Sequence, residues 1–488
     1  MFLNGNGLKG IGTAVLLSIL LSAFPIISGT GQARAGSVAD TIAALLRNKA
    51  FQGGRMTVEI RDTETGKLIF SKGADKRLVP ASNMKIITAA AALTKLGPGY
   101  RFNTEVWVDG PIKNGVLHGN MYLKGYGDPS LVDEYLWTLA RDIAYRGLTE
   151  VKGKIIADDS YFDTRMHGEG WGKIGPEAYY APMSALSLNF NTFVVTANPA
   201  RQVGSPPRLF YMPPDRHLRL VNRALTVDGK GKCRLKVIKA EDGPNSYEIV
   251  GTIPIRSETL EIRRTIGEPP TYAVGSFEAY LISWGVMVSG EIEKGKVPKN
   301  AKLYQSMESK PLSRILWDAG KMSNNFVTEQ ILKTLCAEAG PPDKRTPATT
   351  QCGVEVLSEF LSGLGVNSEG YRIADGSGLS RLNKISANTI AMVLAGMKKN
   401  EVLWPEFAAS LSIAGVDGTL EDRFLKSSLK GKVRAKTGHL TGVNALSGYV
   451  PSKSGHLLAF SMIFNNFSGY HSTVERLQEK VLEAAARY

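Results

Sequence analysis

The segment from residue 80 to residue 98 reads PASNMKIITAAAALTKLGP. After the proline, apolar side chains recur at the three- and four-residue spacing of one helix face. Gly97 and Pro98 follow the last of them, which is typical of a helix C-terminus. The pattern predicts a helix that begins near Ser82 and ends near Leu96, with Lys85 one turn after the serine on the same face.

Two further motifs follow this S-x-x-K motif along the chain. Ser323 and Asn325 form an S-x-N motif between two helical patterns, and residues 436–438 read Lys-Thr-Gly on a strand candidate. Each motif is weak alone, but the ordered set S-x-x-K, S-x-N and K-T-G is far less expected by chance. The set therefore predicts one site built from three distant segments.

Other copies of the first two motifs occur elsewhere in the chain. S-x-x-K recurs at Ser427 and Lys430, in a polar stretch close to K-T-G, and S-x-N recurs at residues 187–189 and 386–388. Ser82 is favoured because it starts a helical segment with a clear end, and Ser323 because it stands where two helices would be joined. For Ser82 the structural alternative is a helix N-cap, a role that serine often has.

The first motif predicts a nucleophile and its base. Serine is a weak nucleophile until a base takes its proton, and a lysine one turn away can reach its hydroxyl. Lys85 acts as a base only if its pKa falls, which burial and a second cation such as Lys436 would achieve. We expect Ser82 to be the nucleophile and Lys85 the base.

The other two motifs predict groups for substrate binding and proton transfer. Ser323 can pass a proton to a leaving amine, and Asn325 can hold an amide of the substrate. Lys436 and Thr437 offer a cation and a hydroxyl to a substrate carboxylate, and Gly438 lets the substrate approach the backbone closely.

His439, directly after K-T-G, is a candidate through its backbone. The N–H groups of Ser82 and His439 would form an oxyanion hole, worth about 3 kcal/mol per donor. A lone histidine beside a strand more often packs or faces solvent than acts as an acid, so no role is predicted for its side chain.

The composition is that of an ordinary globular protein. The 488 residues include 59 Lys and Arg against 45 Asp and Glu, a formal charge of +14, and 43% are hydrophobic. The basic residues are scattered without a nucleic-acid motif, so we expect no nucleic-acid partner. The histidines are too far apart in sequence to suggest a metal pair, and we expect neither a metal nor a cofactor.

The N-terminus has the pattern of an export signal. Lys9 precedes an apolar run at residues 14–23 that is short for a membrane span, and Ala33-Arg34-Ala35 matches an A-x-A cleavage site. We expect residues 1–35 to be a signal peptide and the mature protein to be periplasmic, with at most peripheral membrane contact. A retained N-terminal anchor is the alternative.

The cysteine content excludes a disulfide framework, because the chain contains only three cysteines. In an oxidising compartment Cys336 and Cys352 can form a local disulfide. Cys233 would then remain unpaired, and we expect a shielded thiol there because no histidine lies near it in sequence.

Patterning divides the rest of the chain into three parts. Residues 36–98 contain a hairpin signal and the helix around Lys85, and residues 300–488 contain helical patterns, strands and a final amphipathic helix. Residues 99–299 show short alternating runs broken by Gly, Pro and Asn, which indicates a β-rich region with few long helices. We therefore predict one α+β domain that is interrupted by an insert.

The chain resembles the class C low-molecular-mass penicillin-binding proteins, the D-alanyl-D-alanine carboxypeptidase/endopeptidases of the bacterial periplasm. The similarity covers nearly all of the mature chain and includes the wide gap between Lys85 and Ser323. Beyond the three motifs it rests on four stretches: GYGDPSL (125–131), YAPMSAL (180–186), DGSGLS (375–380) and GVNALSGY (442–449).

This resemblance implies a fold, an activity and a set of roles. The fold is a β-lactamase/transpeptidase-like catalytic domain, an antiparallel sheet flanked by helices, with a large insert of two subdomains. The activity is cleavage of peptidoglycan stem peptides, with β-lactams as inhibitors. The implied site comprises the nucleophile Ser82, the base Lys85, the second-motif residues Ser323 and Asn325, and the third-motif residues Lys436, Thr437 and Gly438.

Two positions depart from the family pattern. His439 stands where relatives usually have a small hydroxyl residue. Relatives that select diaminopimelate side chains have an acidic residue in the insert, and Glu177 is the candidate counterpart here.

Two other functions remain open at this point. A β-lactamase needs efficient deacylation, and the class A pattern E-x-x-L-N has only an incomplete match at residues 329–333, where Lys333 replaces the asparagine. A wall-binding protein would keep the fold without turnover, and the intact motif set argues against it.

Overall fold

The computed structural model describes residues 37–229, 231–340 and 347–488, so the predicted signal peptide lies outside the described residues. No helix in these ranges is long and apolar enough to cross a membrane. The described residues form ten α-helices: α1 (Val38–Leu45), α2 (Met84–Leu96), α3 (Asp133–Tyr145), α4 (Pro269–Ser283), α5 (Leu312–Met322), α6 (Asn325–Glu338), α7 (Thr350–Gly363), α8 (Ala387–Lys399), α9 (Trp404–Ser410) and α10 (His471–Ala485).

Short strands account for most of the other regular structure. The first half of the chain contains β1 (Arg55–Asp62), β2 (Leu68–Lys72), β3 (Asn103–Val108), β4 (Ile112–Lys113), β5 (Val116–Leu117), β6 (Met121–Gly125), β7 (Glu150–Val151), β8 (Ile155–Asp158), β9 (Thr192–Asn198), β10 (Arg208–Met212), β11 (Arg219–Asn222), β12 (Leu225–Val227) and β13 (Lys236–Lys239). The second half contains β14 (Ser246–Val250), β15 (Thr252–Pro254), β16 (Leu260–Thr265), β17 (Met287–Val288), β18 (Ile292–Lys294), β19 (Lys302–Glu308), β20 (Tyr371–Arg372), β21 (Lys384–Ile385), β22 (Ser412–Ile413), β23 (Arg434–Leu440), β24 (Val443–Pro451) and β25 (Leu457–Asn465).

The largest sheet joins strands from the two ends of the chain. Its six strands have the order β2-β1-β25-β24-β23-β22, and every neighbouring pair is antiparallel. The predicted early hairpin and late strands thus belong to one sheet. The predicted α+β class is confirmed.

Both faces of this sheet are covered by helices. Along β25, Ala459 and Ile463 belong to a core shared with α2, α5, α6, α7 and α8. The alternate residues Leu458 and Phe460 belong to a second core that is shared with α1 and α10. Because successive side chains of a strand point to opposite faces, the two cores place the sheet between two helical layers.

Most of the smaller sheets lie within residues 103–308. They have the orders β18-β8-β6-β3-β19, β17-β7-β5-β4, β10-β9-β16, β11-β14-β13 and β12-β15. Two full helices, α3 and α4, accompany them around a third core. Residues on all faces of α4 are mostly buried. The helix therefore lacks the single apolar face by which a surface helix is identified from its sequence. The boundaries 36–98, 99–299 and 300–488 and the division of the insert remain predictions.

A disulfide joins Cys336 in α6 to Cys352 in α7. Cys233 is free and half-buried. The bond links two helices that also pack against each other in the core next to α2.

Candidate active site

Ser82 lies in a 3₁₀ turn, Ala81–Asn83, that leads directly into α2. The helix itself begins at Met84, two residues later than the pattern indicated, and ends at Leu96 as predicted. Gly97 follows it with φ 83° and donates its N–H to the carbonyl of Leu93. The serine is therefore held at the N-terminal end of a helix.

A side-chain hydrogen bond and a close approach at a glycine hold this turn against strand β23. Ala81 has φ 47°, a left-handed conformation that costs about 1–3 kcal/mol in a residue other than glycine. The buried Asn83 donates from Nδ2 to the carbonyl of Lys436 at 2.9 Å. A Cβ atom on Gly438 would lie 2.8 Å from the carbonyl oxygen of Pro80, so glycine allows the strand to approach this closely.

The amine of Lys85 has three hydrogen-bond partners at the base of the site. Its Nζ atom lies 3.0 Å from Oγ of Ser82, 2.7 Å from Oδ1 of Asn325 and 2.7 Å from the backbone carbonyl oxygen of Ser377. The lysine is only 4% exposed. The first and second motifs thus meet at one nitrogen atom.

Burial controls the electrostatics of both lysines of the motifs. It lowers the pKa of Lys85 to about 8, although the charges of Asp375 and Glu329 oppose this shift. It also lowers the pKa of Lys436 well below the ordinary value, and the positive charge of Lys85 lowers it further. An amine with a pKa near 8 is neutral in a fraction of molecules at neutral pH and can then accept a proton.

The S-x-N motif spans the sharp join between α5 and α6. Ser323 has φ 55° and ends α5, and Asn325 is the first residue of α6. Between them, Asn324 caps α6 by accepting the N–H of Val327. Asn325 donates from Nδ2 to the carbonyl of Tyr179 in the insert at 3.2 Å. Its amide is therefore oriented by partners at both ends.

The K-T-G motif lies on β23. Nζ of Lys436 donates to the carbonyl of Thr437 at 3.1 Å, and the Thr437 hydroxyl lies 2.7 Å from that of Thr419. Nε2 of His439 lies 2.7 Å from Oε1 of Glu475 on α10, and this hydrogen bond lowers the pKa of Glu475. The His439 side chain is thus engaged by the last helix.

A cavity of 490 Å³ opens over the serine. Of the predicted residues, Ser82, Ser323, Asn325 and His439 line it, whereas Lys85, Lys436, Thr437, Gly438 and Glu177 are not among its described lining residues. No carboxylate occurs among the described residues that line it, which are Ser82, Gly170, Trp171, Gly172, Tyr179, Tyr180, Ser323, Asn325, Gly378, Leu379, Arg381, His439, Leu440 and Thr441.

The motifs did not indicate a loop at residues 375–380, here named the Asp375 loop, whose Ser377 carbonyl reaches Lys85. Its sequence, DGSGLS, predicts a turn first and a lining segment only second. Buried Asp375 accepts the N–H groups of Gly378 and Ser380, and also Nε1–H of Trp171. The contact with Lys85 is made by a backbone carbonyl, which has no sequence signature of its own. The Asp-Gly-Ser-Gly stretch is therefore the signal in the sequence that could have indicated this loop.

Comparison with known proteins identifies the family of this chain. The profile of the D-Ala-D-Ala carboxypeptidase 3 (S13) family matches residues 38–486. The D-alanyl-D-alanine carboxypeptidase of Actinomadura sp. (strain R39) is 36% identical over 467 residues, which cover 92% of this chain and 85% of that protein. The crystal structure of penicillin binding protein 4 from Haemophilus influenzae superposes with a TM-score of 0.80 at 24% identity, covering 92% and 99% of the two chains. The structure of the same protein complexed with a novel β-lactam superposes with a TM-score of 0.75 at 23% identity, covering 92% and 100%.

Fold and motifs together define a class C low-molecular-mass penicillin-binding protein, and the resemblance inferred from the sequence is confirmed. The chain belongs to the D-Ala-D-Ala carboxypeptidase 3 (S13) family and is by class a serine-type carboxypeptidase.

Proposed function

We propose that this protein is a periplasmic D-alanyl-D-alanine carboxypeptidase/endopeptidase that cleaves peptidoglycan stem peptides through an acyl-enzyme on Ser82. The observation that carries the proposal is the set of hydrogen bonds around Lys85. A neutral amine has two N–H groups and one lone pair. Asn325 Oδ1 and the Ser377 carbonyl can only accept, so they occupy both N–H groups. The lone pair then faces the hydroxyl of Ser82 at 3.0 Å, as a general base requires.

In the acylation step, Lys85 takes the proton of the Ser82 hydroxyl. The Ser82 oxygen then bonds to the carbonyl carbon of the amide that joins the two D-alanines. The oxyanion that forms is bound by the N–H groups of Ser82 and His439, each worth about 3 kcal/mol. The proton reaches the leaving amine through Ser323, and D-alanine departs. Water then hydrolyses the ester, with Lys85 again as the base.

Lys436 and Thr437 hold the terminal carboxylate of the substrate. Burial and the positive charge of Lys85 disfavour protonated Lys436 in the free site, and a substrate carboxylate close to β23 would favour that protonated form again. The Thr437 hydroxyl donates a hydrogen bond to the Thr419 hydroxyl. When Thr419 donates instead, the Thr437 hydroxyl can donate its hydrogen bond to the substrate carboxylate. Asn325 and His439 complete the binding residues at the cavity wall.

β-Lactams would acylate Ser82 and remain attached for long periods. The class A pattern at residues 329–333 supports no deacylating base, because Glu329 is fully buried and accepts the N–H groups of Gly376 and Ser377. With no carboxylate among the described cavity-lining residues, a β-lactamase is the weaker candidate.

The substrate experiment uses purified protein with two muropeptides, a monomer ending in D-Ala–D-Ala and a cross-linked dimer. Release of D-alanine from the first shows carboxypeptidase activity, and conversion of the dimer to monomers shows endopeptidase activity. A fluorescent penicillin is incubated in parallel. Stable labelling with peptide cleavage supports the proposal. Rapid penicillin hydrolysis would favour a β-lactamase, and labelling without any cleavage would favour a wall-binding protein.

The periplasmic location has its own test. Full-length protein is expressed in a Gram-negative host, and the N-terminus of the periplasmic fraction is determined by mass spectrometry. An N-terminus at Gly36 supports export with cleavage after Ala35. Protein that keeps residues 1–35 would contradict it.

A further inference from the structure

Glu329 is the one carboxylate on α6 that reaches the Asp375 loop among the described contacts. Its Oε1 accepts the N–H of Ser377 at 2.7 Å, and both oxygens lie within 3.2 Å of the N–H of Gly376. The residue is 0% exposed. A buried carboxylate that accepts adjacent backbone N–H groups holds that stretch of backbone in place.

The same helix therefore supports both acceptors of Lys85. Asn325 stands one turn before Glu329 on α6, so the two side chains share a helix face. Asn325 contacts the Lys85 amine directly at 2.7 Å. Glu329 is linked to the Lys85 amine through Ser377. Glu329 accepts the N–H of Ser377, and the carbonyl of Ser377 accepts from Lys85.

Charged groups on three elements face Glu329. Lys85 approaches from α2 and Asp375 from the loop, while Lys333 lies one turn further along α6. Burial, together with the charge of Asp375, raises the pKa of Glu329 to about 7. The hydrogen bonds from Ser377 and Gly376 oppose this shift, because they favour the ionised carboxylate.

We propose that Glu329 is a positioning residue for the acylation step: it anchors the Ser377 carbonyl and thereby orients the Lys85 amine toward Ser82. The inference rests on the proposed function of Ser82 and Lys85 and assigns Glu329 a role in the carboxypeptidase reaction that the three motifs do not contain. Glu329 is not among the described residues that line the cavity, so it positions the amine through the loop, while its charge acts on Lys85 across the buried site.

The experiment measures acylation by a fluorescent penicillin between pH 5.5 and 9.5, with saturation curves that separate the limiting acylation rate from binding. Glu329→Gln removes the charge and places an amide against backbone N–H groups. Glu329→Asp keeps the charge but shortens the side chain. Glu338→Gln is the matched control, because it makes the same chemical change at the far end of α6, roughly 13 Å away by helix rise.

For Glu329→Gln we expect the limiting rate to fall by about tenfold. Binding should be unchanged, since Glu329 does not line the cavity. The midpoint of the pH profile should move down by about 0.5–1 unit, because the anion that favoured protonated Lys85 is gone. Glu329→Asp should lower the rate without moving the midpoint, and Glu338→Gln should change neither.

A merely structural role would lower the amount of folded protein without moving the midpoint. A wild-type rate and midpoint in Glu329→Gln, or the same shift in Glu338→Gln, would overturn the inference. If Glu329→Gln does not fold, Glu329→Asp decides alone, and a wild-type limiting rate in it overturns the inference. Ser82→Ala distinguishes a failure of the Glu329 inference from a failure of the proposed function. Labelling that persists in this variant overturns the proposed function itself.

Discussion

The Nζ atom of Lys85 lies 3.0 Å from the hydroxyl oxygen of Ser82, while its two remaining partners are acceptors that cannot donate. The serine is therefore the only one of the three that can give a proton to the amine. This asymmetry distinguishes a base from a lysine that merely fills a structural position, and it leads to the first two predictions.

Replacing Ser82 by alanine should abolish labelling by a fluorescent penicillin, because no ester can form at that position. Ser427→Ala is the control, since Ser427 belongs to the second S-x-x-K copy and its hydroxyl instead donates to Glu483. This control should be labelled like the wild type. Gel fluorescence after denaturation measures both variants, and labelled Ser82→Ala protein would refute the assignment.

The rate of acylation should rise with pH up to about 8. Only neutral Lys85 accepts a proton, and its pKa of about 8 means that the neutral fraction grows about tenfold per pH unit below that value. Lys85→Arg should lower the rate by about 10²–10⁴-fold, because arginine remains protonated and cannot serve as a base. Stopped-flow acylation across this pH range checks both points. A flat profile below pH 8 would contradict the assignment of Lys85.

Gly438→Ala should impair both stability and acylation. The added Cβ would lie 2.8 Å from the carbonyl oxygen of Pro80 and 3.1 Å from Nδ2 of Asn83, so β23 must move away from the Ser82 turn. Overpacking of this kind costs about 1–3 kcal/mol. Gly99→Ala is the control, because no described atom beyond Gly99 and its two chain neighbours lies within 4 Å of the position that its new methyl group would take. Denaturant unfolding and labelling rates should separate the two variants, and equal behaviour would argue against close contact at Gly438.

Loss of the disulfide between Cys336 and Cys352 should lower the free energy of unfolding by about 3 kcal/mol, because the bond closes a loop of about 15 residues. The double variant Cys336→Ser/Cys352→Ser tests this in denaturant unfolding. Cys233→Ser should have little effect, since that thiol is free. A reducing agent should reproduce the loss in the wild type. If it leaves the unfolding midpoint unchanged, the bond does not form in solution.

The sequence predicted those parts of the site that depend on side chains in short motifs. The spacing of Ser82 and Lys85 placed them on consecutive turns, and the structure joins them by a hydrogen bond. Helix α2 also ends at Leu96 as its Gly-Pro pair indicated. Local chemistry determined these features, so they could be inferred without knowing the rest of the chain.

Features that depend on distant backbone could not be inferred in this way. The Ser377 carbonyl has the same chemistry as any other carbonyl, and only the fold brings it to Lys85. In the sequence Glu329 stands out only as part of an incomplete class A pattern, whereas its actual partners are two backbone N–H groups 47 and 48 positions further along the chain. Periodicity does not reveal the helix α4 for a related reason, because burial on all sides hides its pattern.

The pairing of β1 with β25 joins Arg55 to Asn465 across almost the whole described chain. Ser82 therefore leaves the ribosome long before the strand that completes the sheet, and the Lys-Thr-Gly strand β23 is connected to β1 only after β24 and β25 have been made. Contacts between such distant residues form slowly, because a long loop must close first. The sheet that supports the Ser82 turn is consequently complete only when β25 has been made.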